Sequence, residues 1–161
     1  MVKYLKGNLL DSNCDYICHQ VNCQGVMGSG IARQIRERFP VVYESYLDRH
    51  NRYVQLGVPT EKMLGSIDVI LEESFQGFVI NMYSQATYGY DSKRYTSYDA
   101  FANTLYEIKR NVPAGRTIGF PKNIGCGLGG GNWKVISALI EEILGNDYEV
   151  YIYEYEEESN D

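Results

Sequence analysis

Two glycine-rich stretches, roughly a hundred residues apart, hold the residues best suited to chemistry: Asn22-Cys23-Gln24-Gly25-Val26-Met27-Gly28-Ser29-Gly30-Ile31-Ala32 and Gly125-Cys126-Gly127-Leu128-Gly129-Gly130-Gly131-Asn132-Trp133. Each follows a short apolar run that reads as a strand, and each opens into a helical pattern. A loop of this kind presents backbone N–H groups at a helix N-terminus, where an anionic ligand can be held. Glycine lets the backbone approach the ligand closely. Two such loops imply a ligand gripped from both sides. Close to the first loop stands His19, an imidazole able to pass a proton or place a water, and Asn22, an amide able to orient a hydroxyl-bearing ligand. The competing reading of His19 is a satisfied histidine inside the sheet. Cys14, Cys18, His19 and Cys23 are residue types that zinc prefers. Cys18 and His19, however, are neighbours in an apparent strand and point to opposite faces, so no metal site is expected and the thiols read as buried and free.

The elements that must position these loops alternate. Val2 to Leu5 and Asp15 to Val21 read as strands, and Gly30 to Phe39 as a helix stopped by Pro40. Val41 to His50 is helical again. Strands are predicted over Leu64 to Leu71 and Phe78 to Tyr83, then a helix over Tyr98 to Arg110 with Phe101, Leu105 and Ile108 on one face. A short strand, Thr117 to Phe120, feeds the second glycine loop, and the helix Trp133 to Leu144 and the strand Tyr148 to Tyr155 follow. This order predicts an α/β/α sandwich on a mixed, mainly parallel sheet, with ligand loops at one end of the strands. Trp133 reads as a hydrophobic anchor, His50 as exposed, and Asp91, Lys93 and Arg94 as a solvated loop.

A chain of 161 residues with 44% hydrophobic and 22% charged side chains fits one domain, 1–161, with a short acidic tail at about 156–161. No apolar run approaches the roughly 20 residues needed to span a bilayer, and the first residues lack a signal-peptide pattern. A cytoplasmic protein, monomeric and without a membrane partner, is expected. The net charge of −6 gives no broad positive field for a phosphate backbone, so duplex nucleic acid is not an expected partner. Tyr148, Tyr151, Tyr153 and Tyr155 read as packing and half-buried strand residues.

The dinucleotide fingerprint G-x-G-x-x-G is absent, since Gly25, Gly28 and Gly30 give G-x-x-G-x-G after the second strand, and no G-x-x-x-x-G-K-[ST] occurs. Gly7-Asn8-Leu9-Leu10, His19 to Ala32, Asn81-Met82-Tyr83-Ser84, and Pro121 to Gly129 followed by Trp133 do, in this order, resemble a macro domain. The resemblance covers essentially the whole chain. It implies a three-layer α/β/α fold and a pocket for ADP-ribose or an ADP-ribose derivative, with no cofactor. By position, Asn8 matches the polar residue that meets the adenine amine, with Leu9 beside it. Gly25, Val26, Met27, Gly28, Ser29, Gly30 and Ile31 match the loop around the distal ribose and diphosphate. Asn123, Gly125, Cys126, Gly127, Leu128 and Gly129 match the loop that closes over the phosphates, and Ser84 and Gln85 complete the implied ligand-binding set.

Within the family the chain is most similar to the branch of terminal ADP-ribose protein glycohydrolase, the antitoxins that remove ADP-ribose from DNA, and the ADP-ribose 1″-phosphate phosphatases. Two positions depart from the glycohydrolase pattern. Ser84-Gln85 stands where that pattern has a lysine, and Gly129 where it has an acid. Glutamine cannot form a Schiff base with an opened ribose, and glycine cannot shuttle a proton. The expectation is therefore hydrolysis of ADP-ribose 1″-phosphate with His19 and Asn22 as catalytic residues. A non-catalytic reader of ADP-ribose, or a hydrolase with a mechanism that uses no lysine, are the alternatives.

Overall fold

Val, Ile and Tyr recur in the short apolar runs of this chain, and such side chains fit a pleated, half-buried surface better than a helix. The computed structural model describes residues 1–155, so the expected acidic tail at 156–161 lies outside the described residues. Strands form at β1 (Val2–Lys6), β2 (Tyr16–Asn22), β3 (Ile67–Glu72), β4 (Gly77–Gln85), β5 (Thr117–Pro121) and β6 (Glu149–Glu154). The helices are α1 (Gly30–Arg38), α2 (Pro40–Gln55), α3 (Tyr98–Asn111) and α4 (Trp133–Leu144). One sheet results, in the order β1-β6-β5-β2-β4-β3, parallel throughout except for the antiparallel edge strand β3. This is the expected three-layer α/β/α arrangement.

Side chains alternate across the sheet and build two cores. Ile17, Val21, Val79 and Tyr83 face α1 and α2, where Ile35, Val42 and Tyr46 cover them. Cys18, Ile80, Met82 and Phe120 face α3 and α4, beneath Phe101, Leu105, Ile136 and Ile140. Trp133 packs against this second core, as an anchor. Each fully buried aliphatic or aromatic side chain contributes about 1.5–3 kcal/mol, so the two cores hold the sheet as a fixed platform.

Element boundaries differ from expectation where local chemistry intervenes. Pro40 ends α1 but also opens α2, because its missing N–H and fixed φ suit the first position of a helix. The strand expected from Leu64 starts only at Ile67, after a 3-10 turn at Thr60–Met63 and Gly65 at φ +89°. Strand β4 runs on to Gln85 and so carries Ser84 and Gln85 into the sheet.

The connections set the site. From β2 the chain passes to α1 on one face, and from the neighbouring β5 it passes to α4 on the other. Loops that leave adjacent parallel strands in opposite directions open a crevice at the strands' carboxyl ends.

Candidate functional site: a cleft between two glycine loops

A cleft of about 520 Å³ lies in that crevice. Of the residues expected to bind a ligand, Asn8, Leu9, Val26, Gly28, Ser29, Gly30, Ile31, Gln85, Asn123, Gly125, Gly127, Leu128 and Gly129 line it, together with Asn22. Gly25, Met27, Ser84 and Cys126 do not. Met27 and Ser84 are buried, Cys126 packs on the α3/α4 core, and Gly25 backs onto the His50 ring, which stands 3.1 Å from where a Cβ would be. His50 is thus half-buried against the first loop rather than exposed.

The first loop is built around Asn22. Its Oδ1 accepts from the Gln24 N–H (2.9 Å) and the Tyr46 hydroxyl (2.8 Å), while its Nδ2 donates to the Val26 carbonyl (2.9 Å). Burial and the surrounding groups hold the Tyr46 phenol far above its ordinary pKa, so it remains a neutral donor. Ser29 begins α1 without capping it through its side chain, and the N–H groups of Gly30, Ile31 and Ala32 find no acceptor among the described residues. These three residues line the cleft, so the positive end of the α1 dipole opens into it.

The second loop works differently from expectation. Asn132 caps α4 through Oδ1, which accepts from the Lys134 N–H at 2.9 Å, and neither Asn132 nor Trp133 reaches the cleft. The loop offers its own amides instead. The N–H groups of Gly127, Leu128 and Gly129 have no acceptor among the described residues, while Cys126, Gly130 and Gly131 close turns onto Asn123, Gly127 and Gly125. Gly125 and Gly130, at φ +74° and +70°, take the left-handed backbone that these turns require. Asn8 serves a turn as well as the cleft wall, since its Oδ1 accepts from the Leu10 N–H at 3.0 Å.

His19 is not in the cleft. Its ring is completely buried on the α1/α2 face, the opposite face from Gln20, because neighbours on a strand point apart. Nε2 lies 2.5 Å from Asn81 Oδ1, Asn81 donates to Asp68 (3.2 Å), and Asp68 also takes Tyr83 (2.6 Å) and Arg49 (2.9 Å). Desolvation lowers the His19 pKa to about 4, against the opposing pull of Asn81 and Asp68. The ring is neutral at physiological pH and structural. Cys14 and Cys23 lie in the core on its face, but Cys18 lies across the sheet, which divides the set considered for zinc.

Sequence reasoning missed Gln20, Gln34, Tyr88, Tyr90, Lys122, Tyr153 and Tyr155, all of which line the cleft. Strand alternation could have supplied Gln20, since the residue after an inward His19 faces the other way. The position of Tyr153 and Tyr155 at the carboxyl end of β6 could have marked them as more than packing. Tyr88 and Tyr90 sit in a loop with no periodicity to read, whereas the noted Asp91, Lys93 and Arg94 stay outside the cleft. Among the described residues Lys122 is the one charged member of this lining, which holds no carboxylate and no imidazole.

No family model matches the chain. The macrodomain of Thermus aquaticus DarG superimposes with a TM-score of 0.73 at 24% identity, over 98% of this chain and 99% of that one. The fold is that of a macrodomain. A second neighbour, Thermosipho africanus DarTG in complex with ADP-ribose, gives a TM-score of 0.75 at 22% identity, over 95% of this chain and 41% of that one. Among curated relatives, an uncharacterized 17.5 kDa protein of Enterobacteria phage T4 is 29% identical over 97% of both chains. The DNA ADP-ribosyl glycohydrolase of Thermus aquaticus is 26% identical over 96% of this chain, which spans 41% of that protein's length. The ADP-ribose 1″-phosphate phosphatase of Scheffersomyces stipitis is 34% identical over 76 residues, 44% of this chain and 42% of that protein.

Proposed function

We propose that this macrodomain binds ADP-ribose or a derivative of it, with the diphosphate between the two glycine loops. The observation that carries the proposal is the pair of amide sets, Gly30 to Ala32 and Gly127 to Gly129, left without acceptors on opposite sides of one cleft. Unpaired N–H groups and a helix N-terminus neutralise a diphosphate without cationic side chains. That suits a lining whose one charge among the described residues is Lys122. In this reading Asn8 and Leu9 of the lining meet the base, and Asn22, Val26 and Gly28 of the first loop meet the distal ribose. The names of the relatives and of the ADP-ribose complex support the same ligand class.

A module that holds its ligand is the first reading, since among the described residues the lining offers neither the carboxylate nor the imidazole that general acid–base catalysis uses most. Hydrolysis of ADP-ribose 1″-phosphate is the second reading, favoured by the stretch of 34% identity to the phosphatase. In it, the loop amides would stabilise the phosphoryl oxygens while a water attacks phosphorus without His19, the bond from phosphorus to the C1″ oxygen breaks, and a proton from the water passes to that leaving oxygen. Incubation with ADP-ribose 1″-phosphate separates the two. Ligand-induced stabilisation with no phosphate release above background supports the holder, and multiple turnovers support the phosphatase. Absence of any stabilisation by ADP-ribose overturns both.

A further inference from the structure

The Gln20 amide is the junction at which the two walls of the cleft meet, and every one of its polar hydrogens and its oxygen has a partner. Ser84 Oγ donates to Gln20 Oε1 at 2.6 Å, which fixes the orientation of the amide. Gln20 Nε2 then donates to Gln85 Oε1 at 2.6 Å and to Thr96 Oγ1 at 2.9 Å. The Thr96 hydroxyl, having accepted one hydrogen bond, gives its only proton to the Gly125 carbonyl at 2.7 Å. The same carbonyl accepts the Gly131 N–H (2.8 Å), and the Tyr95 and Thr96 N–H groups both reach the Gly129 carbonyl (2.7 and 2.9 Å).

From this relay we infer that Gln20, acting through Thr96, is the positioning residue that holds the second glycine loop in its anion-binding shape. Pinned at Gly125 and Gly129, the short bridge between them presents its free amides to the cleft instead of folding them back onto the loop. The contact is close. A Cβ at residue 129 would stand 2.5 Å from Thr96 Oγ1 and 3.0 Å from Gln20 Nε2, so glycine is required where the latch meets the loop. All the side chains in the relay are neutral, and both hydrogens and the oxygen of the Gln20 amide are already committed. A pre-arranged loop meets its ligand without an ordering cost, which is how a residue that touches no phosphate acts on affinity.

The inference rests on the ADP-ribose reading for its effect on binding, but the latch itself is measurable without ligand. Gln20→Glu removes the donor to Thr96 and offers that hydroxyl a carboxylate, drawing its proton away from Gly125. Thr96→Val removes the hydroxyl at nearly constant volume, and Thr96→Ser restores it. Amide hydrogen exchange on the ligand-free proteins is expected to rise on the order of tenfold at Tyr95, Thr96 and Gly131 in Gln20→Glu and Thr96→Val, with the helices unchanged and with Thr96→Ser close to wild type. The ratio of ADP-ribose to AMP affinity falls on the order of tenfold in the same two variants. Unchanged exchange in this loop, or a rise shared equally by all the helices, overturns the latch. Failure of wild type to bind ADP-ribose overturns only the ligand reading, because the exchange comparison still decides whether the latch exists.

Discussion

At the residue scale, burial decides which polar side chains serve the fold and which serve the cleft. His19 heads a ladder that runs from the buried Asn81 to the half-buried Asp68 and Arg49, and its pKa of about 4 makes it a source of acid sensitivity. Between its unfolded value of 6.5 and its folded value of about 4, the unfolded chain binds the extra proton. Stability therefore rises with pH through that window and is lost as pH falls through it, by up to about 3 kcal/mol. Replacing His19 with Gln is expected to flatten this acid limb in urea titrations between pH 4 and 7 and to lower the melting temperature, while ADP-ribose affinity at pH 7.5 stays within about threefold. A large loss of affinity with the melting temperature intact would return His19 to the site. Gly129 gives the opposite case. Gly129→Asp forces a Cβ to 2.5 Å from Thr96 Oγ1 and 2.7 Å from the Gly125 carbonyl, so it should lose about 1–3 kcal/mol of stability without gaining glycohydrolase activity, as chemical denaturation and chromatography of a modified substrate will report.

At the scale of elements, the two loops have glycines of two kinds. Gly25 stands at φ +77° against the His50 ring, so Gly25→Ala should cost about 1–2 kcal/mol through the backbone alone. Gly28 meets only a Val26 methyl at an ordinary 3.5 Å, and Gly127 meets nothing within 4 Å on the protein side. Gly28→Leu and Gly127→Leu are thus expected to keep their melting temperatures within about 2 °C and to lose more than about tenfold in ADP-ribose affinity, since the added side chain enters the cleft. A matching loss of stability would show that these glycines belong to packing instead. The order of strands and helices, and the loops between them, were legible because hydrophobic period and glycine punctuation are local signals. What was not legible is which side of a strand a polar residue takes once a bulge or an extra strand residue intervenes. Gln20 and His19 are adjacent and equally polar; alternation puts them on opposite faces, but only the three-dimensional layers show which face opens into the cleft. The same limit put Ser84 in the expected binding set, although it is buried and donates to Gln20, and Asn132 went unread as the side chain that caps α4.

At the scale of the whole molecule, a parallel sheet with helices on both faces places its ligand crevice where connections from β5 and β2 part, and nothing else in the chain needs to specify the location. The negative overall charge fits this plan, because backbone dipoles act over a few ångströms and do not require a basic surface. Among the described residues no helix is long and apolar enough to cross a membrane. Since the cleft joins both halves of the sheet, ligand binding stabilises the whole fold. ADP-ribose at about a hundred times its dissociation constant should add about 2.7 kcal/mol and raise the melting temperature by about 5–10 °C. The most direct test of the central claim is a calorimetric titration of one preparation with ADP-ribose and with AMP. If the diphosphate bridges both glycine loops, ADP-ribose binds one to one and at least about tenfold more tightly than AMP, which cannot reach both loops together. Equal affinities for the two ligands would contradict the account.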